Sequence, residues 1–243
     1  MSTISRSKRL PLYFQLKELI IDKIEGGEWQ YGDLIPTEIQ LGTMFDLSRT
    51  TVRQALTELV TEGVLERIQG KGTYVSYPKL EPIRPDVTGF TQDMVDKGHI
   101  VSSIVHAQEF VKADEKLRRI LNLQPNSEVY KLKRLRLVDG TVIGYHEAYL
   151  NHQIAPFVDF SKYDFSKDSL YQSLMKEGIT WGESDETVEA GLASETYGDL
   201  LNIKSESPIL KLSRTTRLED GQPYEYATMV YRADKYRYSI KLR

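Results

Sequence analysis

The chain contains no cysteine. That excludes disulfides, thiolate metal sites, cysteine nucleophiles and iron–sulfur clusters, and it agrees with a reducing cytoplasm. No apolar run approaches the ~20 residues that a membrane span needs. The first ten residues are basic, but no apolar stretch follows them, so no signal peptide is read there. His99, His106, His146 and His152 lack a metal-ligand spacing such as H-E-x-x-H. No G-x-S-x-G elbow, P-loop or G-x-G-x-x-G is present, so the expected cofactor and metal content is none and no catalytic constellation stands out. An excess of positive charge is also missing. Lys and Arg number 32 against 35 Asp and Glu, and residues 1–80 hold ten of each. Contact with nucleic acid therefore has to come from where charges sit, not from their sum. What is present is an ordinary globular composition, 40% hydrophobic and 28% charged, in 243 residues: one large domain or two modest ones.

The first ~75 residues carry helical periodicity. Leu12, Leu16, Leu19, Ile20 and Ile24 share one face, and Gly26-Gly27 end the run. Thr37-Glu38-Ile39-Gln40 is a T-x-x-Q capping box, followed by an apolar stripe of Leu41, Met44 and Phe45. Asp46-Leu47 leaves room only for a tight turn. Ser48 then caps a third helix whose inner face is Val52, Ala55, Leu56, Leu59 and Val60. Gly63 stops it. Leu65 to Ile68, Gln69 to Gly72 and Thr73 to Val75 read as strand, Gly-rich turn, strand. Pro78, Pro82 and Pro85 mark an extended linker. The expected division is residues 1–76, a linker over 77–87, and a second domain over 88–243.

Strands dominate the second part, with hairpin turns at Asp139-Gly140 and Glu219-Asp220-Gly221. This part also repeats itself. A shift of 80 residues superposes eleven identities over positions 92–134, among them Gln92 with Gln172, Asn122 with Asn202 and Arg134 with Arg214. Chance supplies roughly two or three. With one extra residue in the second copy, the Asp-Gly turns align as well. Each copy reads helix, strand, helix, hairpin. The expected fold class is therefore α+β: an N-terminal winged helix-turn-helix followed by a duplicated, mainly antiparallel domain with a pseudo-two-fold axis.

In the first part, the third helix carries the DNA argument. Arg49 and Arg53 lie one turn apart opposite the apolar face, with Thr50 beside them and Ser48 at the helix start. Such a helix N-terminus suits the major groove, and Arg matches guanine O6 and N7. At the wing tip, Gln69, Gly70, Lys71 and Gly72 allow close backbone approach and add one charge. The motifs Pro36-Thr37-Glu38, Leu47 to Leu56, Glu62-Gly63 and Gly70 to Val75 resemble the DNA-binding domain of GntR-type bacterial repressors. The second part resembles the UTRA effector domain of their HutC subgroup, which is similar in fold to chorismate lyase. Thr37 and Gln40 join the candidate DNA contacts. The family commonly has Arg after Pro-x-Glu, where this chain has Ile39, so no operator sequence carries over.

Arg134 and Arg136 alternate onto one strand face, an arrangement suited to a bidentate anion, phosphate or carboxylate. The competing reading pairs them with carboxylates such as Glu225 or Glu189. Ser169 and Tyr171 begin a helix, and the repeat places Gly89, Phe90 and Thr91 at the matching point. The resemblance to the HutC subgroup implies that Arg134, Arg136, Ser169, Tyr171, Phe90 and Thr91 hold a sugar phosphate such as glucosamine-6-phosphate or N-acetylglucosamine-6-phosphate. By the same resemblance Glu225 and Tyr231 meet sugar hydroxyls or an amine. His146 stands where an acidic residue is expected, which leaves the sugar open. Tyr236 and Tyr238 are read as core and rim of the last strands.

The leading expectation is a cytoplasmic, homodimeric repressor that binds double-stranded operator DNA and is released by a small anionic effector. An activator, a carboxylate effector, and a lyase-like enzyme with a DNA-binding head are the alternatives.

Overall fold

The computed structural model describes Ile4, residues 10–81 and residues 89–239. The rest of the basic start and residues 82–88, with Pro82 and Pro85 of the expected linker, lie outside the described residues. The chain divides into two compact units: residues 1–79 with 233–235, and residues 80–232 with 236–243.

In the first unit, α1 (Leu12–Glu25) follows Pro11, whose missing N–H costs a helix start nothing. It ends at Gly26, and Gly27 turns the chain away at φ +73°. The second helix, α2 (Glu38–Phe45), opens on the capping box: the Gln40 amide N–H donates to Thr37 Oγ1, and the Thr37 amide N–H donates to Gln40 Oε1. Asp46, in the left-handed region at φ 52°, makes the tight turn into α3 (Arg49–Thr61), capped by Ser48. Leu16, Ile20, Leu41, Val52, Leu56 and Leu59 bury almost completely in one core. Each contributes ~1.5–3 kcal/mol. Lys17 ties α1 to α3 through Glu58 and Glu62 at 2.8 and 2.6 Å. Burial opposes its charge, but the two carboxylates outweigh that and hold the Lys17 pKa above its ordinary value.

The wing pairs β1 (Leu65–Ile68) with β2 (Gly72–Val75). A third extended segment extends it: the Ile35 N–H donates to Thr73 O, the Val75 N–H donates to Asp33 O, and Leu34 bridges Tyr74. Gly72 sits at φ +132°, and a Cβ there would lie 2.6 Å from Leu34 Cδ1, so only glycine fits. Met44, expected in the α2 stripe, is exposed instead, because Leu41 and Phe45 take the core side of this short helix.

The second unit is a six-stranded antiparallel sheet in the order β3-β4-β5-β8-β7-β6. The first copy supplies α4 (Phe90–Val95), β3 (Val101–Lys112), α5 (Glu115–Ile120), β4 (Glu128–Val138) and β5 (Thr141–Leu150). The second supplies α6 (Leu170–Lys176), β6 (Trp181–Leu192), α7 (Glu195–Leu201), β7 (Pro208–Leu218) and β8 (Pro223–Arg232). The strand order is its own mirror, and the copies meet where β5 pairs with β8. Glu147 faces Thr228 there, and these two are repeat equivalents once the extra residue is counted. Equivalent residues also share unusual backbone: Asn122 and Asn202 at φ 51° and 52°, Asn126 and Glu206 at 65° and 64°. Asp114 caps α5 as Ser194 caps α7. The side chains of Gln92 and Gln172 hydrogen-bond each other. The duplication is thus structural, and a two-fold axis runs through the domain.

One sheet face packs α5 and α7 over Leu117, Leu121, Leu201 and Tyr226. The other carries α4, α6 and the chain between the copies, whose Ala155, Val158, Phe160 and Phe165 enter the core. Tyr236 is buried but lies beyond the end of β8, joined to Leu80 by an isolated bridge, and is not part of the last strand.

Candidate functional site

On the first unit, Ser48, Arg49, Thr50 and Arg53 are all exposed along the outer side of α3. Burial of Val52, Ala55 and Leu56 on the opposite face turns them outward. The Arg49 side chain is 76% exposed. Its Nε lies 3.6 Å from Glu38 Oε2, and Arg67 Nη2 of β1 lies 3.5 Å from the other Glu38 oxygen. Glu38 thus holds one cation of α3 and one of the wing strand. At such exposure and length these contacts are worth little, and a DNA phosphate displaces them at small cost. Gln69, Gly70, Lys71 and Gly72 are exposed at the wing tip. Thr37 and Gln40 are exposed too, but their oxygens serve the capping box. Only the Gln40 NH2 group is left over from it. Ser48 Oγ is engaged with Thr51 in the same way.

On the second unit, the helix-bearing sheet face encloses a cavity of about 50 Å³. One water needs ~10–15 Å³. All ten expected effector residues line it. Gly89, Phe90 and Thr91 come from the start of α4, and Ser169 and Tyr171 from the start of α6. Arg134 and Arg136 come from β4, His146 from β5, Glu225 and Tyr231 from β8. Period-two alternation puts the strand residues on this face.

Both arginines are buried, Arg136 at 1% exposure and Arg134 at 6%. Arg136 donates to Thr91 Oγ1 at 2.6 Å and lies 4.8 Å over the Phe90 ring, but its Nε is buried without a partner. Arg134 reaches only the Asp168 carbonyl, at 3.4 Å, and the face of Phe165. Neither guanidinium forms an ion pair with a carboxylate among the described residues. Burial pushes the Arg134 pKa well down, the neighbouring Arg136 adding to it, and burial lowers Arg136 to about 10. Two buried, unneutralised cations side by side cost several kcal/mol in the absence of an anion.

The rest of the pocket is different in character. Glu225, at 2% exposure, accepts hydrogen bonds from Tyr171 Oη and Thr216 Oγ1, and burial raises its pKa against them. His146 packs edge-on to Phe90 and Tyr231. Burial, then the charges of Arg136, Arg134 and Arg214, drive its pKa far down, so it is a neutral ring whose Nε2 has no partner. The Glu225 charge acts on Arg134 but forms no ion pair with it, being hydrogen-bonded to Tyr171 and Thr216, and Glu189 is opposite Lys211.

Two protein families match the chain, the bacterial regulatory proteins of the gntR family over residues 12–75 and the UTRA domain over residues 96–237. The chain belongs to the gntR family of regulators with a UTRA domain. It is 31% identical to the HTH-type transcriptional repressor NagR of Bacillus subtilis, over 96% of this chain and 95% of that one. It is 29% identical to the histidine utilization repressor of Pseudomonas putida, over 93% of this chain and 90% of that one. The crystal structure of PhnF from Mycobacterium smegmatis superposes with a TM-score of 0.65 at 26% identity, covering 93% of this chain and 98% of that one. The expected family and α+β architecture are therefore correct, and this gntR-family chain is a transcriptional regulator, not an enzyme.

Three residues of this regulator escaped the sequence reading. Glu38 was seen as a helix-cap neighbour, not as the partner of Arg49 and Arg67. Arg214 lines the pocket, and its place as the repeat equivalent of Arg134 was the signal for it. Glu186, which pairs with Arg214 at 2.7 Å, gave no signal, because the pairing depends on the register of β6 against β7.

Proposed function

We propose that this regulator is a homodimeric, cytoplasmic repressor of a metabolic operon, released from its operator by a small anionic effector, a sugar phosphate of the glucosamine-6-phosphate or N-acetylglucosamine-6-phosphate kind. The observation that carries the effector is the buried Arg134–Arg136 pair, which forms no ion pair among the described residues. A phosphate there relieves both desolvated charges and matches guanidinium geometry. Glu225, Tyr231 and His146, on the other strands, offer acceptors and donors for hydroxyls or an amine. A ligand that prefers one arrangement of the dimer shifts the population of operator-competent dimers. Such coupling is typically ~1–3 kcal/mol.

On the DNA side, Arg49, Thr50 and Arg53 read bases from the major groove. Ser48, Thr37, Gln40 and the wing tip Gln69 to Gly72 contact backbone, and each protomer takes one half-site. Fluorescence titration of a promoter fragment from its own operon tests both sites. Arg49→Ala is expected to abolish specific binding and leave effector binding intact. Arg134→Ala is expected to keep operator binding and lose release by the sugar phosphate. An Arg134→Ala protein still fully released contradicts the pocket, and an Arg49→Ala protein with unchanged operator affinity contradicts the reading helix. Release by carboxylates alone replaces phosphate with carboxylate as the effector class.

A further inference from the structure

The pocket straddles the pseudo-two-fold axis, so each of its positions occurs twice. Gly89 and Thr91 at the start of α4 correspond to Ser169 and Tyr171 at the start of α6. Arg134 and Arg136 on β4 correspond to Arg214 and Thr216 on β7. The contacts correspond as well: Arg136 meets Thr91, and Thr216 meets Tyr171 at 3.2 Å.

The two halves differ in Arg136 against Thr216 and in what stands beside Arg134 and Arg214. Arg214 Nε donates to Glu186 Oε2 at 2.7 Å, with both side chains 9% exposed. Glu186 also accepts from Tyr238 Oη at 2.8 Å. The repeat equivalent of Glu186 is His106. It sits in the bulge of β3 between Val105 and Ala107, exposed, with its ring 5.5 Å from Tyr145 on the opposite sheet face. The bulge therefore removes the position that would have neutralised Arg134. One arginine of the equivalent pair carries a built-in carboxylate and the other carries none.

We infer that Glu186 sets the polarity of the ligand: its carboxylate neutralises Arg214, the counterpart of Arg134 in the second half of the pocket, so an anionic ligand enters in one orientation only, with its charge at Arg134 and Arg136. This rests on the anionic-effector reading above. Without Glu186, Arg214 is a second pocket cation that has lost its ion-pair partner, and an anion can be drawn to either half of the pocket. A ligand could then bind end for end, and only one of the two poses brings its uncharged end to Glu225. Glu186 is thus a specificity-determining residue that need not touch the ligand.

The test uses the full chain and inorganic phosphate as the probe, followed by calorimetric titration. Wild type binds phosphate, and Arg134→Gln weakens it about tenfold or more. Adding Glu186→Gln to Arg134→Gln restores the affinity to within about threefold, and diffraction from crystals of that variant with phosphate places the anion against Arg214. No restoration in the folded variant, or an anion placed away from Arg214, overturns the role of Glu186 while leaving the effector reading standing. Wild type without Arg134-dependent phosphate binding overturns both. If the restored variant does not fold, Glu186→Gln with Arg214→Gln in the otherwise wild-type chain removes both charges together. Phosphate affinity is then expected to fall less than about threefold, and a tenfold loss would show that Arg214 holds the anion in the wild type and overturn the inference.

Discussion

The two copies within the UTRA domain share a backbone down to single left-handed residues, yet one half of their common pocket is cationic and the other is neutralised. Duplication supplies symmetric scaffolding, two helix starts above one continuous sheet. A handful of side chains then breaks the symmetry into a polar site. The lesson is that ligand chemistry here resides in the differences between the copies: Arg136 against Thr216, the bulged His106 against Glu186. A small asymmetric metabolite needs such a broken pair.

The mirrored arginines give the largest expected effect. Arg214→Ala leaves the largely buried Glu186 carboxylate without its cation, and is expected to cost ~3–5 kcal/mol of unfolding free energy in denaturant titration. At the equivalent position, Arg134→Met removes a buried cation that has no carboxylate partner. It is expected to leave the ligand-free protein as stable as the wild type or more stable, by up to ~1–4 kcal/mol. Equal losses at the two positions would mean that Arg134 is neutralised as fully as Arg214, and the contrast between the halves would vanish.

A smaller effect separates the halves by pH. His146 is neutral in the fold because burial, then Arg136 and Arg134, depress its pKa far below the ordinary value. The unfolded chain takes up that proton near pH ~6.5. The folded state does not, so stability from this group is present above that value and is lost as pH falls below it toward the folded value. His146→Gln is therefore expected to lose melting temperature less steeply than wild type between about pH 7 and 5. Parallel curves for the two proteins would show that His146 is not held neutral by the cationic half.

Much of this was legible in the sequence, and for identifiable reasons. The capping box at Thr37 and Gln40 and the cap at Ser48 have local signatures, and the structure contains both. The hairpins show through alternation and their Asp-Gly turns. The repeat is visible because left-handed positions keep Asn122 and Asn202. What stayed hidden is what depends on packing at a distance. The segment between the copies has no period, yet Phe160 and Phe165 enter the core. Residues 33–35, between the first two helices, carry no strand signature and yet extend the wing. Met44 fits a helical stripe and faces outward, because Leu41 and Phe45 already take the core side of a helix of eight residues. The ten proposed effector residues line one cavity. The residue that distinguishes the pocket's halves, Glu186, is one of several acidic residues along β6, and only strand register selects it.

The central claim is that the unneutralised arginines are an anion site for a phosphorylated metabolite. Thermal unfolding of the full chain tests it most directly, against hexose phosphates, glucosamine-6-phosphate and N-acetylglucosamine-6-phosphate, each beside its unphosphorylated sugar. A ligand at 100 times its dissociation constant adds ~2.7 kcal/mol. At ~2–4 °C per kcal/mol, that raises the melting temperature by roughly 5–10 °C. The account predicts such a shift with at least one phosphorylated sugar and none with its unphosphorylated partner. Equal shifts with and without phosphate, or no shift with any of the set, would contradict it.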